Sequence, residues 1–222
     1  MAGALEVYLE EGSRRTFACS LDWPGWCRSG RGEEAALAAL AAYAPRYAPV
    51  AREAGLAFLD GEDVTFEVVE RLPGSMTTDF GAIAAFATVD ARPLSAGEAE
   101  REARLVEASW WVLDRVAAGA PASLRKGPRG GGRDRDAIID HVLAAETAYV
   151  RKLGLRLRQP AADDAGAVAA FREALLEVLR RPSDGTAPVA RGWPSRYAAR
   201  RLAWHALDHA WEIEDKSEPG PG

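Results

Sequence analysis

From Ser95 onward, four stretches of about 18 to 24 residues carry apolar side chains at helical spacing. The first three are each closed by a run that a helix does not readily cross: KGPRGGGRDRD, RQPAADDAG and RRPSDGTAPVARGWP. Ser95 and Glu98 have the spacing of a capping box, in which the serine oxygen takes a free amide at the helix start, and this first helix runs to about Ala118. Asp134 or Asp136 caps the second, which reaches about Leu155 with Ile138, Val142, Ala145, Tyr149 and Leu153 on its apolar face. Asp163 or Asp164 opens the third, with Ala167, Phe171, Ala174, Leu175 and Val178 along one side. The fourth runs from about Ser195 to Asp215. Helices of this length bury their apolar stripes against one another, so a four-helix bundle is expected over residues 95–216, with 217–222 a disordered tail.

The first part of the chain follows another pattern. LEVYLEE and RTFACSL nearly alternate around Gly12-Ser13, which predicts a β-hairpin. DWPGWCRSG reads as a turn-rich loop, and RGEEAALAALAAYAPRYAPVARE as a helix that Pro45 ends or kinks. DVTFEVVERLPG returns to strand. Residues 1–72 are therefore expected to form a small α/β module, and 73–94 an irregular linker with short elements. The fold class expected for the whole chain is α+β, with the hairpin-and-helix module preceding the bundle.

A chain of 222 residues can bury a real core, removing roughly 70% of its unfolded surface. Its formal charge of -5 gives no general attraction to nucleic acid or to an anionic membrane, and no aromatic interleaving or groove-reading helix suggests nucleic acid. No window approaches eighteen apolar residues, and MAGALEVYLEEGSRR does not read as a signal peptide, so a cytoplasmic location is expected. The two cysteines do not make a disulfide framework, and their spacing is neither a zinc nor a thioredoxin motif. Cys19, on a strand, reads as a buried small hydrophobe, and Cys27, in the turn, as more exposed. The tryptophans of DWPGWC are expected to pack over the sheet edge or a domain interface, or to form an aromatic lip to the bundle's pocket. The glycines at 127–132 lack the Lys-Ser/Thr of a phosphate loop and read as a flexible link. Around them Arg125, Lys126, Arg129, Arg133 and Arg135 make a basic loop, either solvated or available to an anionic substrate or cofactor carboxylate.

The chain has three histidines. His205 and His209 stand four apart in RLAWHALDHAWEIED, so their imidazoles stack on one helix face and can reach one ion. With Trp204 at zero on a helical wheel, they fall at about 100° and 140°, between an aromatic edge (Tyr197, Trp211) and an aliphatic edge (Leu202, Ile213). That is the packed side of the helix. His141 lies at the edge of the second helix's apolar face, and facing helices approach within about 8–10 Å. Three imidazoles from two helices would make a facial cap for Zn²⁺ or Ni²⁺ with positions left for water or substrate. The alternative is three separately hydrogen-bonded core histidines. Asp140, Glu146, Asp208 and Glu212 are the nearby acids. Asp208 and Glu212 could hold the second nitrogen of a ligating histidine or serve as a base, and Glu212 could be a fourth ligand. HALDH has Ala206 where an HExxH peptidase carries glutamate, which argues against that chemistry.

With IIDHVLAAETAYVRKLG in the second helix and RRLAWHALDHAWEIEDK in the fourth, residues 95–216 resemble the DinB/YfiT superfamily of four-helix bundles. The resemblance implies a divalent metal, often zinc or nickel, held by His141, His205 and His209, and a homodimer. Some members of that superfamily are transferases or isomerases that use a low-molecular-weight thiol. The resemblance therefore implies such an enzyme, with a small-molecule substrate between the helices, or a non-enzymatic protein whose metal is structural or whose site is vestigial. VYLEEGSRRTFACSLDWPGWCRSGRGEEAALAAL resembles the HicB antitoxin-type module through Pro24, Gly25, Gly30 and Glu33–Ala35, although Trp26 interrupts the usual spacing. It implies the small α/β shape, without a toxin-neutralising role.

Overall fold

A computed structural model describes residues 4–59, 64–127 and 131–217. Arg129 of the basic loop, much of the glycine link and the tail at 218–222 lie outside the described residues. The fold is α+β: a small sheet with its own helices, then four long packed helices.

The expected hairpin is present as β1 (Leu5–Glu11) and β2 (Thr16–Ser20), antiparallel with Leu9 opposite Ala18. The second half of the expected DWPGWCRSG loop is a third strand, β3 (Cys27–Gly30), antiparallel to β2. Helices α1 (Glu33–Ala42) and α2 (Ala44–Glu53) follow, and Pro45 sits in the first turn of α2. The first helix thus ends just before Pro45, as expected, and the proline is tolerated in the first turn of α2 because the first amides of a helix have no internal partner. Strand β4 (Phe66–Pro73) then pairs parallel to β1, giving the order β3-β2-β1-β4.

Both faces of this sheet are covered. Val7, Leu9 and Ala18 join Trp26, Leu40, Tyr47 and Val50 on the side of α1 and α2. Tyr8, Phe17, Cys19 and Cys27 on the other side pack with Ile83, Ala87 and Trp204. Cys27 is the direct cross-strand partner of Cys19, and both are buried and joined as a disulfide. This corrects the expectation of an exposed Cys27 and of unpaired cysteines. The cause is the unforeseen strand β3, which turns both side chains onto one covered face.

The segment at 73–94 is what covers that face. It contains α3 (Met76–Phe80), capped by Ser75, and a 3₁₀ turn at Thr88–Ala91. Glu10, fully buried on β1, accepts hydrogen bonds from the Ala84 amide at 2.9 Å and the Ala85 amide at 3.0 Å, and from the Thr78 hydroxyl. A buried carboxylate needs such donors, and here they bind the linker to the sheet.

The long helices are α4 (Ala96–Gly119), α5 (Arg135–Lys152), α6 (Ala165–Leu179) and α7 (Ser195–Ser217). The Ser95–Glu98 capping box is formed, and Asp164 caps α6 by accepting from the Ala167 amide at 2.9 Å. Asp134 stands at the start of α5 but accepts instead from the Leu124 amide and Lys126, which ties down the preceding loop. Helix α7 has no broad solvent face: Ala198 to Arg200, Leu202 to Leu207 and His209 to Trp211 are all buried. The wheel gave it one packed side only. The difference arises because the N-terminal sheet and its loops close over the flank that the other long helices leave free.

Gly25 makes that closure close. It has a φ of 91°, and a β-carbon there would sit 2.7 Å from Leu207 Cδ1 and 3.0 Å from Ala203. Arg28 on β3 pairs with Asp208 at 3.1 Å and lies over the Tyr43 ring, and Arg46 on α2 pairs with Glu214 and Asp215. The tryptophans of DWPGWC belong to this core, as expected of packing residues. Trp26 stacks on Tyr47 and donates to the Leu40 carbonyl at 3.0 Å, and Trp23 packs edge-on against Phe58. One apolar cluster therefore runs from Val7 to Ile213.

Candidate metal centre

His141 lies in the second turn of α5, and His205 and His209 occupy successive turns of α7. Their rings converge, with centroids 5.2 Å apart for His141 and His205, 5.0 Å for His141 and His209, and 4.7 Å for His205 and His209. One nitrogen from each lies within 4.8 Å of the others. Zn–N bonds of about 2.0–2.1 Å in tetrahedral geometry need nitrogens roughly 3.4 Å apart, a difference that small side-chain rotations close. His205 and His209 are buried, whereas His141 is only half-buried, so the cluster opens on the α5 side.

The electrostatics favour neutral rings at His205 and His141. Burial pushes the pKa of His205 well below its ordinary 6.5, and His209, Arg201 and His141 add repulsion. Burial likewise lowers His141, assisted by His209 and Arg133. Neutral imidazole is the form that binds a metal. Glu212 Oε2 lies 2.7 Å from His209 Nδ1 and also accepts from Lys216. An ionised Glu212 holds the proton on Nδ1 and leaves Nε2 with its lone pair free, the usual carboxylate support of a ligating histidine. The bond to His209, reinforced by Lys216, draws the Glu212 pKa down to about 2. His205 Nδ1 is buried without a hydrogen-bond partner. A buried ring nitrogen left unsatisfied is costly, and a cation beside it would remove the cost. The donor set therefore fits a divalent ion.

Of the four acids considered from the sequence, Glu212 alone touches a histidine among the described residues. Asp208 faces Arg28, where desolvation pushes its pKa up and the guanidinium works against that. Glu146 is buried on the opposite side of α5, accepting from Trp110 Nε1 at 2.6 Å, and Asp140 is exposed. Most of the described basic loop is tied elsewhere: Arg125 donates to the Asp215 carbonyl, Lys126 pairs with Asp134, and Arg135 donates to the Ala120 carbonyl. Arg133 alone of that group acts on the histidines.

Two neighbours of the cluster, one expected only on the apolar face of the second helix and one only as a partner for Asp208 or Glu212, were not placed there from the sequence. The Tyr149 ring lies edge-on to His205 at 5.8 Å, and Arg201 Nε is 3.3 Å from the Tyr149 hydroxyl. Arg201 stands one turn before His205, a spacing that could have drawn attention to it.

Comparison with protein-family models, with curated proteins and with solved structures returns no match to this chain.

Proposed function

We propose that this chain is a divalent-metal-dependent enzyme of DinB-like type. Its ion, zinc or nickel, would be held by His141, His205 and His209, and its reaction would be a transfer or isomerisation that uses a low-molecular-weight thiol. The observation that carries the reading is the convergence of all three histidines from two helices, with His209 oriented by Glu212. An ion bound there supplies Lewis acidity, which lowers the pKa of a thiol or water brought to it. Glu212 keeps the proton on His209 Nδ1, and Lys216 keeps Glu212 in place. Burial of His205 and His209 excludes water from the inner side, and the half-buried His141 leaves the approach for a small molecule. Asp208 is 3.1 Å from Arg28 and serves this reading as a positioning residue between the sheet and α7 rather than as a base. A homodimer completes the proposal, on the resemblance alone.

The test is metal content in protein purified without a histidine tag, beside a His205→Ala/His209→Ala version. About one equivalent of zinc or nickel in the first and almost none in the second is expected. Absence of metal from both after reconstitution overturns the reading. A stoichiometric ion that no added thiol perturbs would make the ion structural and the protein non-enzymatic.

A further inference from the structure

Arg201 has an unusual position for a cation. It shares the triad's face of α7, is half-buried, and is held by neutral groups: the Ile83 carbonyl takes Nη1, and the Tyr149 hydroxyl lies 3.3 Å from Nε. Its guanidinium lies 4.7 Å from the Trp204 ring centroid and 5.5 Å from that of Tyr149. The acids of the 3₁₀ turn and of the middle of α7 are engaged by other cations: Asp90 by Arg200, Asp208 by Arg28, and Glu212 by Lys216. Among the described residues no carboxylate pairs with Arg201, and Nη2 has no hydrogen-bond acceptor. Its neighbour Arg200, by contrast, is buried against Asp90.

A partly desolvated guanidinium without a counter-charge is costly, and its flat fork matches a carboxylate. A divalent ion on three neutral imidazoles beside it would leave the centre more positive still. Glu212 is already paired with Lys216, so a bound molecule carrying negative charge would complete the balance. Four residues of helix rise separate Arg201 from His205, about 6 Å. Tyr149 lies against both His205 and the Arg201 guanidinium, so a ligand a few carbons long would reach from the cluster to Arg201. Tyr149, with Trp193 against it at 4.9 Å, would wall one side of it.

We propose that Arg201, aided by the Tyr149 hydroxyl, is a carboxylate-recognition subsite of the metal centre, so that the molecule bound there is a short carboxylate with a thiol or oxygen donor at its other end. The proposal rests on the metal reading above and adds the substrate class to it.

The test uses full-length protein loaded with cobalt(II), whose visible spectrum reports a ligand entering the coordination sphere. The probes are 3-mercaptopropionate and its neutral amide. Wild type should bind the acid about tenfold or more tightly than the amide, the worth of a charge-assisted bidentate contact. Arg201→Gln should lose that preference and keep affinity for the amide, Arg201→Lys should restore part of it, and Tyr149→Phe should weaken it. Cobalt stoichiometry and circular dichroism show that each variant is folded and loaded. Equal affinity for acid and amide in loaded wild type overturns the subsite and leaves the metal reading standing. Failure to take up cobalt overturns the metal reading. The subsite, defined on that centre, then falls with it.

Discussion

Glu212 connects three ionisable groups in one helix: it orients His209, it is held by Lys216, and its own proton is lost far below neutrality. Replacing it with glutamine keeps the shape but weakens the acceptor, so His209 is no longer held in the tautomer that points a lone pair at the cluster. Glu212→Gln is expected to weaken zinc binding about 10- to 100-fold in a chelator competition. An unchanged affinity would show that Glu212 matters only to the helix surface. At this scale much of the centre was legible. The i,i+4 spacing of His205 and His209, and of Glu212 and Lys216, is written in one helix period. The partner of Asp208 was not, because Arg28 lies 180 positions away and only the folded sheet brings it near. Tyr149 was read as an apolar-face residue, and periodicity cannot say that its ring meets a histidine.

The elements depend on a few positions with no slack. Gly25 combines a positive φ with the close approach of Ala203 and Leu207. Gly25→Ala should therefore cost about 2 kcal/mol or more in urea denaturation, from backbone strain together with forced repacking. At the other end of the range, Ser95→Ala removes one cap from α4 and should cost about 1 kcal/mol. The long helices could be read from sequence because their caps and breakers are local chemistry. Strand β3 could not, because its four residues are polar or small and are held in place by pairing with β2 rather than by their own pattern. The linker was unreadable for the same reason. Its order comes from Glu10, Tyr197 and Arg201, which lie far from it in the chain.

Across the whole molecule, buried acids set the response to pH. Burial raises Glu102 to about 7 against Arg196 and Arg200, and raises Glu146 to about 7 against Arg172 and Trp110. A carboxyl whose pKa is higher in the folded state stabilises the fold fully below its unfolded value near 4.5, and that contribution is lost as pH rises through about 7. His205 and His141 act oppositely. Their lowered pKa values favour the fold above their unfolded 6.5, and that contribution is lost as pH falls. Comparing Glu146→Gln with wild type isolates one acid. The variant should gain about 2 kcal/mol on wild type between pH 5.5 and pH 8.5, measured by denaturant titration. A difference that does not vary with pH would mean that Glu146 titrates normally.

The enclosure of α7 also has a consequence in time. Among the described elements this helix is the last in the chain, yet the sheet, the linker and α4 all close on it. At a synthesis rate of about 5–20 residues per second, the β1–β3 hairpins exist for on the order of ten seconds before α7 follows. During that interval the side of the sheet destined for Trp204 has only the linker to cover it. The nascent chain must therefore wait, with apolar surface exposed, for the same helix that carries two of its three histidines. Completion of the core and assembly of the histidine cluster both wait on α7.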